Sequence, residues 1–171
     1  MLRLIKPAIE HLEAIECYCQ EFIEEGRTWI DGSAGIMNYP NLEDWLIALK
    51  NNGSEATVAE GLVPSTLFLG IREEDNQLVG MVDIRHRLNE YLLNFGGHIG
   101  YGVRHSERRK GYATELLRLA LEESKNLEIK EVLLTCDKSN IASAKTILAN
   151  QGVFENEIQN GEKLTQRYWI K

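Results

Sequence analysis

The sequence predicts an α+β fold: a mixed, mostly antiparallel central sheet flanked by helices, with one parallel strand–helix–strand crossover. Three patterns carry that prediction. Two strand-like runs, TLFLGIR and LVGMVDIRHR, flank the polar turn EEDNQ. A third run, GHIGYGV, leads into the apolar-striped stretch YATELLRLALEES. That stretch is followed by EVLLTC, a continuous apolar run of the kind that fills a buried strand.

In chain order, Leu12, Ile15, Cys19, Phe22 and Ile23 recur at helical spacing after Pro7, so the opening segment reads as an amphipathic helix ending near Gly26. RTWIDGSAGIMNYPN is rich in breakers and long enough to form a lid. Asn41 is placed to cap a short helix carrying Leu42, Trp45, Leu46 and Leu49. Residues 66–72 and 78–87 then form a hairpin, and NEYLLNFGG turns the chain into a third strand at 97–103. The helix with Ala113, Leu116, Leu117, Ala120 and Leu121 on one face leads to the strand EVLLTC, and strand–helix–strand implies a right-handed crossover. A last helix at 140–150 carries Ile141, Ala144, Ile147 and Leu148, and two terminal strands follow at 153–159 and 163–170. With 171 residues and no linker or repeat, the whole chain, 1–171, is expected to be a single domain.

Charge narrows the partners. Nineteen Lys and Arg against 26 Asp and Glu give a net charge of −7, which repels nucleic acid but allows a small anion in a local pocket or a cationic substrate. Cys17, Cys19 and Cys136 show no paired spacing, so neither a disulfide framework nor a metal site is expected, and reduced thiols point to the cytoplasm. No apolar run reaches the length of a leader or a membrane span. A homodimer stays open.

Against that acidic background, VRHSERRKGYATELL concentrates cations and a glycine where a strand gives way to a helix. Gly111 lets an anion approach the free amides of the helix's first turn, where the helix dipole adds positive potential. Arg108, Arg109 and Lys110 reinforce the field and Thr114 offers a hydroxyl, a combination suited to a diphosphate held without a metal. The alternative is a solvated basic loop before an ordinary helix. A G-x-x-x-x-G-K-S/T loop is absent, and GYGVRH lacks the third glycine of a dinucleotide fingerprint.

RRKGYA, Arg108 to Ala113, matches the Q/R-x-x-G-x-G/A signature of GNAT-type N-acetyltransferases, and VLLTCDKSNIASAKTILANQGVF resembles that family's later strand, Asn-led helix and terminal Gly-x-Phe. The resemblance spans about residues 67–154. It implies acetyl coenzyme A as cosubstrate, no metal, and direct transfer to a primary amine of a small molecule or peptide. It also implies that the backbone at Val103 meets the pantetheine arm, and that the amides of Arg108, Arg109, Lys110, Gly111, Tyr112, Ala113 and Thr114 bind the pyrophosphate. Asn140 and Ser143 match positions that hydrogen-bond the cofactor, and Lys145 lies where a cation meets its phosphates. Asn140 reads equally well as a helix cap.

Two departures bear on catalysis. The family's frequent tyrosine, seven residues after this Asn, is Ile147 here, and its frequent glutamate, eleven residues before Arg108, is Gly97. An alkylamine with a pKa near 10 is only about one part in a thousand neutral at pH 7, so a proton acceptor is needed. His98, His86, Asp83 and Tyr101 are the nearest candidates, each with a plain structural alternative. His98 and Tyr101 are the residues singled out, Tyr101 as the donor to the departing thiolate. A strand amide exposed by a bulge near residues 101–103 would polarise the thioester oxygen. Cys136 reads as a core thiol or a ping-pong nucleophile. Trp29, Asp31 and Glu90 would suit a cationic acceptor or simply lie in solvated loops. The rival reading, drawn from the same two departures, is a non-catalytic acyl-coenzyme A-binding module.

Overall fold

The computed structural model describes residues 1–171. It opens with β1 (Leu2–Ile5), a strand the sequence reading does not anticipate, because four residues are too few to display a period. Helix α1 (Leu12–Glu24) follows a single turn of 3₁₀ helix, and Gly26 with φ +73° ends the helical run. The buried stripe of α1 is Ile15, Tyr18 and Phe22, whereas Ile23 is exposed. Asn41 caps α2 (Leu42–Asn51) as expected, its Oδ1 accepting from the Asp44 amide at 2.8 Å. Trp45 anchors that helix, fully buried, with Nε1 donating to the Ser33 carbonyl at 2.9 Å.

β2 (Ser65–Arg72), β3 (Leu78–Arg85) and β4 (Ile99–Val103) complete an antiparallel sheet in the order β1-β2-β3-β4. Past β4 come α3 (Tyr112–Asn126), β5 (Val132–Asp137), α4 (Ile141–Ala149), β6 (Val153–Asn160) and β7 (Lys163–Ile170). The last three strands form a second antiparallel sheet in the order β5-β7-β6. The expected strand–helix–strand unit is therefore present as β4–α3–β5, yet its two strands are edges of different sheets and form no common ladder. The bulge expected in β4 is absent: β3 and β4 pair without a register shift, and the irregularity lies between β2 and β3 at Gly70/Ile71.

Two cores sandwich the first sheet. Helices α1 and α2 pack on Leu67, Leu69, Leu78 and Met81, while α3 and α4 bury Val82, Ile84, Ile99, Leu116, Leu117 and Ile147. On α4 only Thr146 and Ile147 are buried, and Ile141 and Leu148 face solvent, because the helix meets the sheet along one narrow line.

The α1–α2 connection is not a loose lid. Ile30, Ser33 and Ile36 are buried, and the backbone at Gly32 presses directly on β4. A Cβ at Gly32 would stand 2.6–2.7 Å from the Tyr101 Cα and the carbonyl oxygens of Gly100 and Met81, and its φ is +73°. Gly32→Ala is accordingly expected to cost about 1–3 kcal/mol of folding stability, since clash and left-handed backbone strain act together; urea denaturation measures it.

Candidate active site

The site begins where the two sheets touch. The Arg85 amide donates to the His98 carbonyl at 2.7 Å, tying residue 98 to β3. The His98 amide donates to the Leu133 carbonyl at 2.7 Å, and His98 Nδ1 accepts from the Leu133 amide at 2.9 Å. His98 thus supplies one backbone donor and one side-chain acceptor to β5, imitating a strand neighbour for a single residue. Beyond this joint no backbone hydrogen bond links β4 to β5.

Along β4 the peptide groups that face this gap are unpaired except for the Val103 carbonyl, which accepts from Arg108 Nε at 3.2 Å. The Arg104 amide donates to the Val79 carbonyl at 3.0 Å, so in the regular β3–β4 ladder the even-numbered residues bond to β3 and the peptides of Tyr101 and Val103 face the opening. A ligand with amide groups of its own fits between such edges. Tyr101 and Ser143 bridge the opening on the α4 side, with their hydroxyls 2.9 Å apart. Burial pushes the Tyr101 phenol up to about 12, against the hydrogen bond with Ser143, so the group stays protonated at neutral pH. Cys136 is pushed up to about 11, again by burial. A thiol held in that form is a poor nucleophile.

At the open end, the chain leaves β4 through a 3₁₀ turn at His105–Glu107 and reaches α3 with Arg109 at φ +62° and Gly111 at φ +85°. No side chain caps α3, and its first backbone bond is from Glu115 to the Gly111 carbonyl at 3.2 Å, so the amides of Tyr112, Ala113 and Thr114 have no helical partner. A Cβ at Gly111 would meet nothing within 4 Å. Open space in front of uncapped amides is a cradle for an anion.

The cations beside that cradle are less free than their sequence suggests. Arg108 donates to both oxygens of Glu25 at 2.8 and 2.9 Å and lies over the Phe22 ring, while Lys110 bonds Glu107 at 3.0 Å. Burial works to raise the Glu107 carboxyl, but its bonds from Lys110 and Arg72 outweigh this and hold it below the usual carboxylate range. The Arg108 bonds lower Glu25 likewise. Arg109 and Lys145 are exposed and carry no ion pair. Asn140 caps α4, its Oδ1 accepting from the Ser143 amide at 3.1 Å. Gly97, with φ +65°, would place a Cβ 2.6 Å from the Leu133 carbonyl oxygen, so no carboxylate can occupy that position. Among the acceptor candidates, Trp29 and Asp31 lie on the surface of the α1–α2 connection, and His86 Nε2 is 2.8 Å from Thr66 Oγ1.

The Acetyltransferase (GNAT) family profile matches residues 24–152. The chain belongs to the GNAT acetyltransferase family. No curated protein sequence matches it. Solved structures show the same fold at low identity. A ribosomal-protein-S5-alanine acetyltransferase from Vibrio fischeri superposes with a TM-score of 0.71 at 16% identity, over 99% of this chain and 91% of that one. A GNAT-family acetyltransferase from Bacillus anthracis gives 0.63 at 19% identity, over 99% and 93%. Mutant forms of a spermidine/spermine N-acetyltransferase from Vibrio cholerae give 0.64 at 16% identity, over 99% and 92%. In this member of the family, no helix is long and apolar enough to cross a membrane.

Burial, reinforced by Arg85, lowers the His98 imidazole to about 4, keeping it neutral and able to accept at Nδ1. The unfolded chain therefore takes up this proton first as pH falls. The joint's stability is complete above the free-histidine value of about 6.5 and drains away toward pH 4, at up to about 1.4 kcal/mol per pH unit. Chemical denaturation across pH 4–7 should show this slope in the wild type and a shallower one in His98→Asn.

Proposed function

We propose that this protein transfers the acetyl group of acetyl coenzyme A to a primary amine by direct attack in a ternary complex. One observation carries the reading: the unpaired edges of β4 and β5 open onto the uncapped first turn of α3, whose turn at Gly111 has room for a diphosphate. Acetyl coenzyme A would supply the thioester; the chain supplies placement and proton control. The amides of 111–114 hold the pyrophosphate, with Arg109 and Lys145 available to its outer phosphates. Because Arg108 and Lys110 are paired with Glu25 and Glu107, their work is to fix the loop's shape. The peptide of Tyr101 and the amide of Val103 pair with the pantetheine arm, while the Val103 carbonyl is held by Arg108. Asn140 keeps α4 in place so that Ser143 and Tyr101 meet beside it.

Tyr101 replaces the acid that Ile147 does not provide. Its hydroxyl lies on the α4 side of the gap, stays protonated at neutral pH, and is oriented by Ser143. The amine, whether a polyamine, an amino acid or a peptide terminus, enters from the opposite side. Release of coenzyme A thiol across a panel of spermidine, n-butylamine, amino acids, an aminoglycoside and short peptides tests the reading. Turnover of at least one is expected, and none, with no cofactor binding, overturns it.

Two substitutions divide the machinery. Gly111→Val places a branched side chain in the anion's space and strains a left-handed residue, so acetyl coenzyme A affinity should fall at least about tenfold by calorimetry while the fold persists. Tyr101→Phe removes one hydroxyl and keeps the ring, so kcat should fall about 100-fold with cofactor affinity within a few-fold, as read by steady-state kinetics and calorimetry together.

A further inference from the structure

On β3, Met81, Asp83 and Arg85 follow one another on the face that carries the α1–α2 core. Asp83 is 4% exposed. Its Oδ2 lies 3.2 Å from Arg85 Nε, but its Oδ1 is buried with no hydrogen-bond partner, and no other side-chain atom in the protein is in that state. An orphaned buried acceptor costs about 1–3 kcal/mol, so a fold that keeps one has a use for it. Arg85 is drawn the other way, with Nη1 donating to the Gly96 carbonyl at 3.2 Å.

The surroundings lead from this oxygen to the gap. Asp83 pairs across the ladder with Gly100, and Gly102 is the next β4 residue on the same face; no β4 side chain stands between the carboxylate and the strand edge, and the space over these glycines holds the Arg85 guanidinium and the backbone of Asp31 and Gly32. The pyrophosphate loop begins α3, and α3 and α4 pack on the opposite face. In direct transfer the amine therefore approaches from the face that Asp83 occupies. The charged or titratable groups around it are Arg85 of β3, His86 just after β3, His98 just before β4, and Asp31 of the α1–α2 connection; Ser65 and Leu67 of β2 carry no charge.

We infer that Asp83 is the proton acceptor for the incoming amine, receiving the proton through one water at Oδ1. The inference rests on the transferase reading above. The ammonium loses one proton to the water and thence to the carboxylate; the freed nitrogen lone pair forms the N–C bond; the C–S bond breaks as sulfur takes a proton from Tyr101, and the second proton that the nitrogen sheds in becoming an amide returns to the Tyr101 phenolate through solvent. Burial raises the carboxyl above its ordinary range, with Arg85 and the Ser65 hydroxyl opposing, which makes it a stronger base than a surface aspartate. Asp83 acts through the water and not by contact with the amine, so its test needs a nucleophile that requires no base.

The experiment compares Asp83→Asn with wild type at pH 7 and saturating acetyl coenzyme A. The probes are spermidine and n-butylamine, which are protonated there, and hydroxylamine, which is neutral. With the alkylamines kcat should fall about 100-fold while cofactor affinity holds within about threefold; with hydroxylamine the variant should stay within about threefold of wild type. An equal loss on all probes would mark Asp83 as merely structural, and no loss on the alkylamines would also overturn the role. Wild-type behaviour separates the two claims: no wild-type turnover of these probes or of any other amine in the panel, with no binding of acetyl coenzyme A, removes the transferase reading, and the proton role with it. If the Asn variant fails to bind cofactor, Asp83→Ser, which leaves room for a second water, carries the same expectations.

Discussion

The architecture depends on a single joint. Two antiparallel sheets meet edge to edge at His98 and Leu133, and everything beyond that contact follows from their parting. A continuous ladder would satisfy every peptide along β4 and β5 and leave no room for a ligand. A complete separation would expose two sheet edges with nothing to align them. His98 resolves the conflict by letting its carbonyl face β3, its amide face β5, and its ring accept the Leu133 amide. Gly97 is part of the same device: its left-handed backbone turns the chain so that those groups point two ways, and the Leu133 carbonyl leaves no space for a side chain there.

The far end of the gap is held just as firmly, by charge. Glu21 accepts from Arg104 and from both the amide and hydroxyl of Ser106, and Glu25 accepts from Arg108 and His105, so α1 grips the segment leaving β4. Arg104 is buried and also donates to the Leu78 carbonyl at 3.0 Å, so its charge is both paired and hydrogen-bonded. On the other side, Arg72 and Lys110 converge on the buried Glu107. The loop before α3 is thus pre-shaped by ion pairs that use up most of its cations. Backbone amides and the dipole of α3 are left as the principal anion-binding groups.

Proton control is distributed around this frame. Tyr101, from β4, presents its hydroxyl to Ser143 of α4, and Ile147 of the same helix is buried core. Glycines at 32, 100 and 102 let the α1–α2 connection lie flush on β4. That close approach covers Gly100, the ladder partner of Asp83.

The sequence by itself determined most of the elements, their order and the glycine turn ahead of α3. Period and punctuation are local properties: the stripe on α3, the Asn caps at 41 and 140, the turn between β2 and β3, and the glycine at 111 each declare themselves within a few residues. What only the tertiary structure decided is which groups meet. β1 was too short to read. The parting of β4 and β5 was invisible because strand-like runs do not reveal whether they share hydrogen bonds. The pairing of Arg108 with Glu25, 83 positions away, turned an apparent anion ligand into a brace. His98 became a joint, and Asp83 was left with an unanswered oxygen, because burial and partnership arise from contacts distant in the chain, and those exist only once the sheets have packed.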